Sequence, residues 1–193
     1  EAYGRAIGRA TSTLRLGIPR TTFFDNLEPE VAAAVETALD VLGELTAGLR
    51  DVELPPSPGL GISSAEIYAY HSPWITKSPE LYQPPTRRIV QGGANASAES
   101  YIKGLREVTL ARREIIKSFA SIDLLITPIT GGVAGLIPSA AAGAGNPLPD
   151  GGGGGRSGPT GFVNTSYFSY YGLPALSIPC GFTASGLPIG LQI

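Results

Sequence analysis

Methionine is absent from this 193-residue chain, and cysteine, histidine and tryptophan occur once each. One histidine (His71) and one cysteine (Cys180) cannot assemble a Cys/His zinc site, and a lone thiol leaves no internal disulfide. Charge is scarce as well. Only 16% of residues are Asp, Glu, Lys or Arg, against about 25% in ordinary soluble domains. A net charge of −2 gives no electrostatic case for nucleic acid or an anionic membrane. No run of about 18 apolar residues occurs, and no basic start leads into an apolar stretch, so neither a membrane span nor a signal peptide is expected. The default is a soluble protein of a reducing compartment, the cytoplasm. The chain opens on Glu1 without an initiator methionine, and is expected to be a piece of something longer.

Glycine (26) and proline (17) are abundant. The 42% hydrophobic content nevertheless argues against disorder, and the length suits one domain with a real core. Leu14, Leu16 and Ile18 alternate with Arg15 and Gly17, the period-two pattern of a half-buried strand that Pro19 ends. A helix should follow from about Pro29, capped by Asp25 or Asn26, with Val31, Val35, Ala38, Leu42, Leu45 and Leu49 on one stripe. Val52 and Leu54 then restart a strand, so the unit reads as a crossover with parallel strands. Ser63–Tyr70 reads as a short helix followed by an irregular connection through Trp74 and Tyr82. A second long helix is expected over Ala96–Ala120, its stripe running Tyr101, Leu105, Val108, Arg112, Ile115 and Phe119. Asp123–Pro128 reads as a short buried strand, Gly131–Gly161 as a mobile Gly/Ala-rich loop, and Ala175–Pro179 with Ile189–Ile193 as a hairpin.

Complete catalytic sets do not emerge from these patterns. No Gly-x-Ser-x-Gly elbow occurs, so His71 reads as structural, and Cys180, with no cation or helix start nearby, as an inert thiol. Ser63 and Ser64 read as helix caps. Asp150–Ser157 is a near miss to a phosphate-binding loop but lacks its first glycine, its lysine and a preceding strand. Physics alone yields an α/β chain without a nucleophile and base.

Four stretches, in order, resemble the C-terminal half of the amidase signature family. They are Leu14-Arg-Leu-Gly-Ile-Pro-Arg20 with Phe24-Asp25 and Pro29-Glu-Val31, then Asp123-Leu-Leu-Ile-Thr-Pro128, then Gly172-Leu-Pro-Ala-Leu-Ser-Ile-Pro-Cys-Gly181, and finally Gly186-Leu-Pro-Ile-Gly-Leu-Gln192. The resemblance implies a mixed β-sheet sandwiched by helices, with residues 1–193 forming the C-terminal part of a single amidase domain. It also implies amide hydrolysis without metal or cofactor, by a serine, a second serine in a cis peptide, and a lysine kept neutral to act as base. The family's Gly-Ser-Ser-Gly-Gly-Ser stretch has no match in this chain, so the resemblance puts no catalytic residue in it and expects that machinery upstream. What it assigns is pocket wall: Phe162 falls where glutamine-using members carry Asp, and Thr165 matches their Thr, while Ser169 replaces a frequent Asn. The expected partner is a small, apolar amide, with no direct contact to nucleic acid or membrane, and a homodimer is compatible with the family. The alternatives are the A subunit of a tRNA-dependent amidotransferase and a non-catalytic scaffold relative.

Overall fold

A computed structural model describes residues 3–56, 61–134 and 163–193. The described residues fall into two compact units. The first gathers residues 3–55, 114–134 and 163–193, and the second holds residue 56 with 61–113.

Parallel strands open the first unit. β1 (Leu16–Ile18) lies between β2 (Leu49–Asp51) and β3 (Leu124–Leu125), both parallel to it. The expected crossover is present, with its second strand at Leu49–Asp51 and not at Val52–Leu54. All three β1 residues are buried, so its alternation is not an in/out pattern. Gly17 is small because its other face is covered: a Cβ there would stand 2.6 Å from Ile122 Cδ1. Parallel strands with covered faces behave this way. After β1 comes a single turn, α1 (Arg20–Phe23).

The crossover helix is α2 (Pro29–Leu45), entered through Glu28 and Pro29 in place of the expected Asp25 or Asn26 cap. Pro29 suits this first turn because its missing N–H would have no helical acceptor there. Val31, Val35 and Leu39 are its buried stripe, each removing about 1.5–3 kcal/mol worth of apolar surface from water. Ala38 and Leu42 pack beside them, whereas Leu45 is exposed and Leu49 already belongs to β2.

Two residues beyond β3 the chain enters an antiparallel sheet. Its order is β4 (Thr127–Pro128), β6 (Pro188–Gln192), β5 (Ser177–Phe182). Ile126, between β3 and β4, joins Leu16, Ile18, Val31, Val35, Leu39, Ile189 and Leu191 in one core cluster. The β5–β6 hairpin is the expected one. Its turn places Gly186 at φ +82°, and Thr183 closes the turn by taking the Leu187 N–H on its hydroxyl at 3.0 Å. The remaining helix, α6 (Val163–Tyr171), follows the segment 135–162, in which most of the expected mobile loop lies outside the described residues.

The second unit is helical. α3 (Gly61–Lys77) runs straight through Pro73, so the expected break before Trp74 does not occur. Pro73 removes the N–H that would bond the Ala69 carbonyl. The Ser72 hydroxyl donates to that carbonyl at 3.2 Å and supplies the missing partner. Ser63 and Ser64 lie inside this helix, not ahead of it. The stretch read as irregular contains another helix, α4 (Pro84–Gly92). α5 (Ala98–Ser118) buries Val108, Ala111 and Ile115, while Leu105 is 40% exposed. The buried stripe is therefore rotated by part of a turn from the expected one at Leu105 and Arg112. From Glu114 onward α5 belongs to the first unit. No helix among the described residues is long and apolar enough to cross a membrane.

Candidate functional site

Thr127, Asn164, Thr183 and Gln192 are the buried polar side chains among the described residues. A buried polar group without a partner costs about 1–3 kcal/mol, so each needs a reason. Thr183 has a local one, since it closes the hairpin turn. The other three converge on the two residues of β4.

Thr127 pairs with Gln192 across the β4–β6 ladder, and the Gln192 Nε2 donates to its hydroxyl at 3.3 Å. Next along, the Ile129 N–H donates to the Gly190 carbonyl at 3.1 Å. Antiparallel ladders alternate between bonded and non-bonded pairs, so Pro128, between these two, turns its carbonyl away from β6. A proline fits there because no N–H is wanted from it. Its side chain is fully buried, and the Asn164 Nδ2 donates to its carbonyl at 2.7 Å.

Asn164 stands in the first turn of α6. Asn164, Phe168 and Tyr171 are buried at i, i+4 and i+7, which is one helix face. Phe23 packs against that helix, its ring 4.9 Å from Tyr167 edge-on and 5.7 Å from Phe168. The Tyr171 hydroxyl donates to the Pro55 carbonyl, and burial pushes its phenol well above the ordinary range. Gly172, at φ +71°, ends α6. The Leu173 N–H reaches the Phe168 carbonyl at 3.0 Å and the Gly172 N–H reaches Ser169 at 3.2 Å, the paired bonds of a glycine-stopped helix. The Gly172-Leu-Pro174 motif is thus a helix stop followed by a residue that cannot resume it.

Thr165 follows Asn164 on α6 and is half-buried on the flank of the packed face. Phe162 lies outside the described residues, as does the near phosphate-loop at 150–157. Beyond β4, Glu28 holds the turn that the chain makes at Thr130–Val133. Its N–H donates to the Gly131 carbonyl at 2.8 Å, and its carboxylate accepts the Val133 N–H at 3.3 Å.

None of the buried polar groups at β4 titrates, so they can donate and accept hydrogen bonds but cannot act as a base. The lysines lie elsewhere. Lys103 and Lys117 pair with Glu99 and Glu114 at 2.6 and 2.7 Å on the surface, and Lys77 is exposed. His71 sits in the second unit, its Nδ1 3.0 Å from the Tyr82 hydroxyl and its ring edge-on to Tyr70 and Tyr82. Cys180 is the extra residue where the β5–β6 register shifts between Pro179 and Gly181; burial pushes its thiol up, away from the reactive thiolate. No group of three or more His, Cys, Asp or Glu able to hold a metal occurs among the described residues. Thr127 and Gln192 lie within two of the resembling stretches, but no sequence pattern marks them or Asn164 as a buried polar group. An asparagine and a glutamine in apolar surroundings are the available signal.

A mixed α/β unit with a parallel crossover and the β5–β6 hairpin defines the class, and comparison with known proteins supplies the family. The family model described as Amidase matches residues 2–193. The chain belongs to the amidase family. An amidase of Pseudomonas putida is 35% identical over 200 residues, covering 96% of this chain and 40% of that protein. The A subunit of the glutamyl-tRNA(Gln) amidotransferase from Roseiflexus sp. (strain RS-1) is 32% identical over 223 residues, covering 99% of this chain and 42% of its own. Among solved structures, 6-aminohexanoate cyclic dimer hydrolase in complex with its substrate superposes with a TM-score of 0.69 at 23% identity, over 100% of this chain and 43% of that one. A bacterial aryl acylamidase of the amidase signature family gives 0.66 at 19% identity, over 98% and 41%. The mixed α/β fold is that of amidase signature enzymes. The chain spans about two-fifths of the length of the curated relatives it matches.

Proposed function

We propose that the protein containing this chain hydrolyses the C–N bond of a small, apolar carboxylic amide, and that these residues supply part of its substrate wall. The observation that carries the reading is the 35% identity to an amidase along 96% of the chain. In the mechanism that the family resemblance implies, a serine hydroxyl adds to the amide carbonyl as a neutral lysine takes its proton through a second serine. The tetrahedral intermediate then expels the amine, which leaves with that proton, and water cleaves the acyl ester. Those groups belong to the remainder of the protein, so the 193-residue segment alone is expected to be inactive.

Phe162 and Thr165 are the substrate-facing residues of this reading. A phenyl ring offers no acceptor to an ammonium group and favours an apolar acyl part by roughly ten- to two-hundred-fold, the reach of a hydrophobic pocket. The test is the ratio of kcat/KM for benzamide over glutamine, in the whole protein and in its Phe162→Asp variant. Preference for benzamide that moves toward glutamine in the variant is the expected result. A parent that already prefers glutamine, and needs partner proteins to act, would favour the amidotransferase reading instead. No turnover of any amide would favour the scaffold reading.

A further inference from the structure

Pro128 is fully buried, and its carbonyl faces away from β6, on the edge of the antiparallel sheet where no further strand is paired among the described residues. Water cannot satisfy it there. The amide of Asn164 does so at 2.7 Å, from a residue only 4% exposed and 36 positions away in the chain. One side chain therefore takes up this carbonyl and ties the first turn of α6 to β4. Polar burial of this kind specifies one arrangement where an apolar pair would tolerate several. The two bonds from Gln192 and Asn164 fall on adjacent residues, so β4 is held from both sides.

Thr165 is the very next residue after Asn164. A shift of the first helical turn moves its hydroxyl directly, and displacements near 1 Å at a substrate-orienting group change rates by as much as about a hundredfold. We propose that Asn164 is a positioning residue that sets how this protein orients its amide substrate, by fixing the first turn of α6, and with it Thr165, against the Pro128 carbonyl, so that a rigid aryl and a flexible alkyl amide are misplaced unequally when it is lost. The inference rests on the amidase reading and on Thr165 facing substrate.

The experiment compares the whole protein with its Asn164→Ala and Asn164→Asp variants, the second keeping the side-chain shape while removing the donor. A ratio of kcat/KM for two substrates, benzamide and hexanamide, does not depend on the fraction of enzyme folded. Loss of stability alone leaves it unmoved, whereas displacement of Thr165 does not. Val35→Ala, a core substitution in α2, serves as the destabilised control. Expected is a change in the ratio of about fivefold or more in both Asn164 variants, with kcat/KM itself down about 10- to 100-fold, and an unchanged ratio in the control. An unchanged ratio in folded, active Asn164 variants would overturn the proposal while leaving the amidase reading intact. Failure of both variants to fold would assign Asn164 to the core alone and would overturn it too. A parent protein inactive toward every amide would sink the amidase reading, and this inference with it.

Discussion

Arg15 and Asp123 meet through two parallel bonds, Nη2 to Oδ1 at 2.8 Å and Nε to Oδ2 at 3.0 Å, and the Arg15 backbone N–H adds a third at 2.8 Å. The Asp123 N–H returns a bond to the Arg15 carbonyl at 2.8 Å. The pair thus clamps the start of β3 beside β1. Hydrogen bonds from Arg15 hold the Asp123 carboxyl well below the ordinary carboxylate range, at about 2. Both side chains are more than one-third exposed, so salt weakens the clamp and its contribution is modest. The folded value is the lower one, so the contribution is complete above about pH 4 and fades as pH falls toward 2. An Asp123→Asn protein should melt below the parent at pH 7, and the gap in Tm should close as pH is lowered from about 4 to 2. Melting curves across that range are the check; a gap that stays constant would mean the carboxylate charge is immaterial.

Within the second unit, one glycine decides how closely two elements approach. Gly93 opens the 3-10 turn Gly93–Asn95 after α4, and a Cβ built there would collide with the Ser64 carbonyl and lie 2.8 Å from Tyr68 Cβ on α3. Its backbone is helical, with φ −76°, so space is the issue and not conformation. Gly93→Ala should cost about 1–3 kcal/mol as α3 is pushed away, read as a lower denaturation midpoint followed through Trp74, the single tryptophan, which lies on α3. An unchanged midpoint would show that the contact yields freely. Elements with a clean period are legible from the sequence: Val31 and Val35 mark the buried face of α2, and the alternation at Leu16 and Ile18 marks β1. Elements whose pattern depends on partners are not. Pro73 argues for a break because the Ser72 hydroxyl that replaces its bond is a local detail no periodicity carries. The stripe on α5 is misplaced since Gly104, whose missing side chain lets Ile62 approach, counts as nothing in a hydrophobic pattern. Thr165 is legible as part of a motif. Gln192 ends another motif, but the bonds that Asn164 and Gln192 make are not legible, because their partners Pro128 and Thr127 lie 36 and 65 residues away.

At the scale of the whole chain, Leu191 shows how much hangs on the last strand. It is 1% exposed, sits in the core cluster with Leu16 and Val35, and pairs with both Pro128 and Ile178 from the middle of its sheet. Leu191→Ala should therefore cost the first unit about 2–5 kcal/mol. Hydrogen exchange at Leu16–Ile18 and Ile189–Gln192 is the measurement, and protection unchanged there would remove β6 from the core. The same unit is assembled from three separate stretches of sequence. β1 has β3 as a neighbour across about a hundred residues, as Leu16 pairs with Leu124, and β4 must wait for β6, as Thr127 pairs with Gln192. Closing such long loops costs entropy before any contact repays it. On a ribosome, then, the helices of the second unit are synthesised entire long before the first can close. Until residue 192 has left the exit tunnel, β4 has no ladder partner on the β6 side, and the strands already made form a nascent surface open to a chaperone.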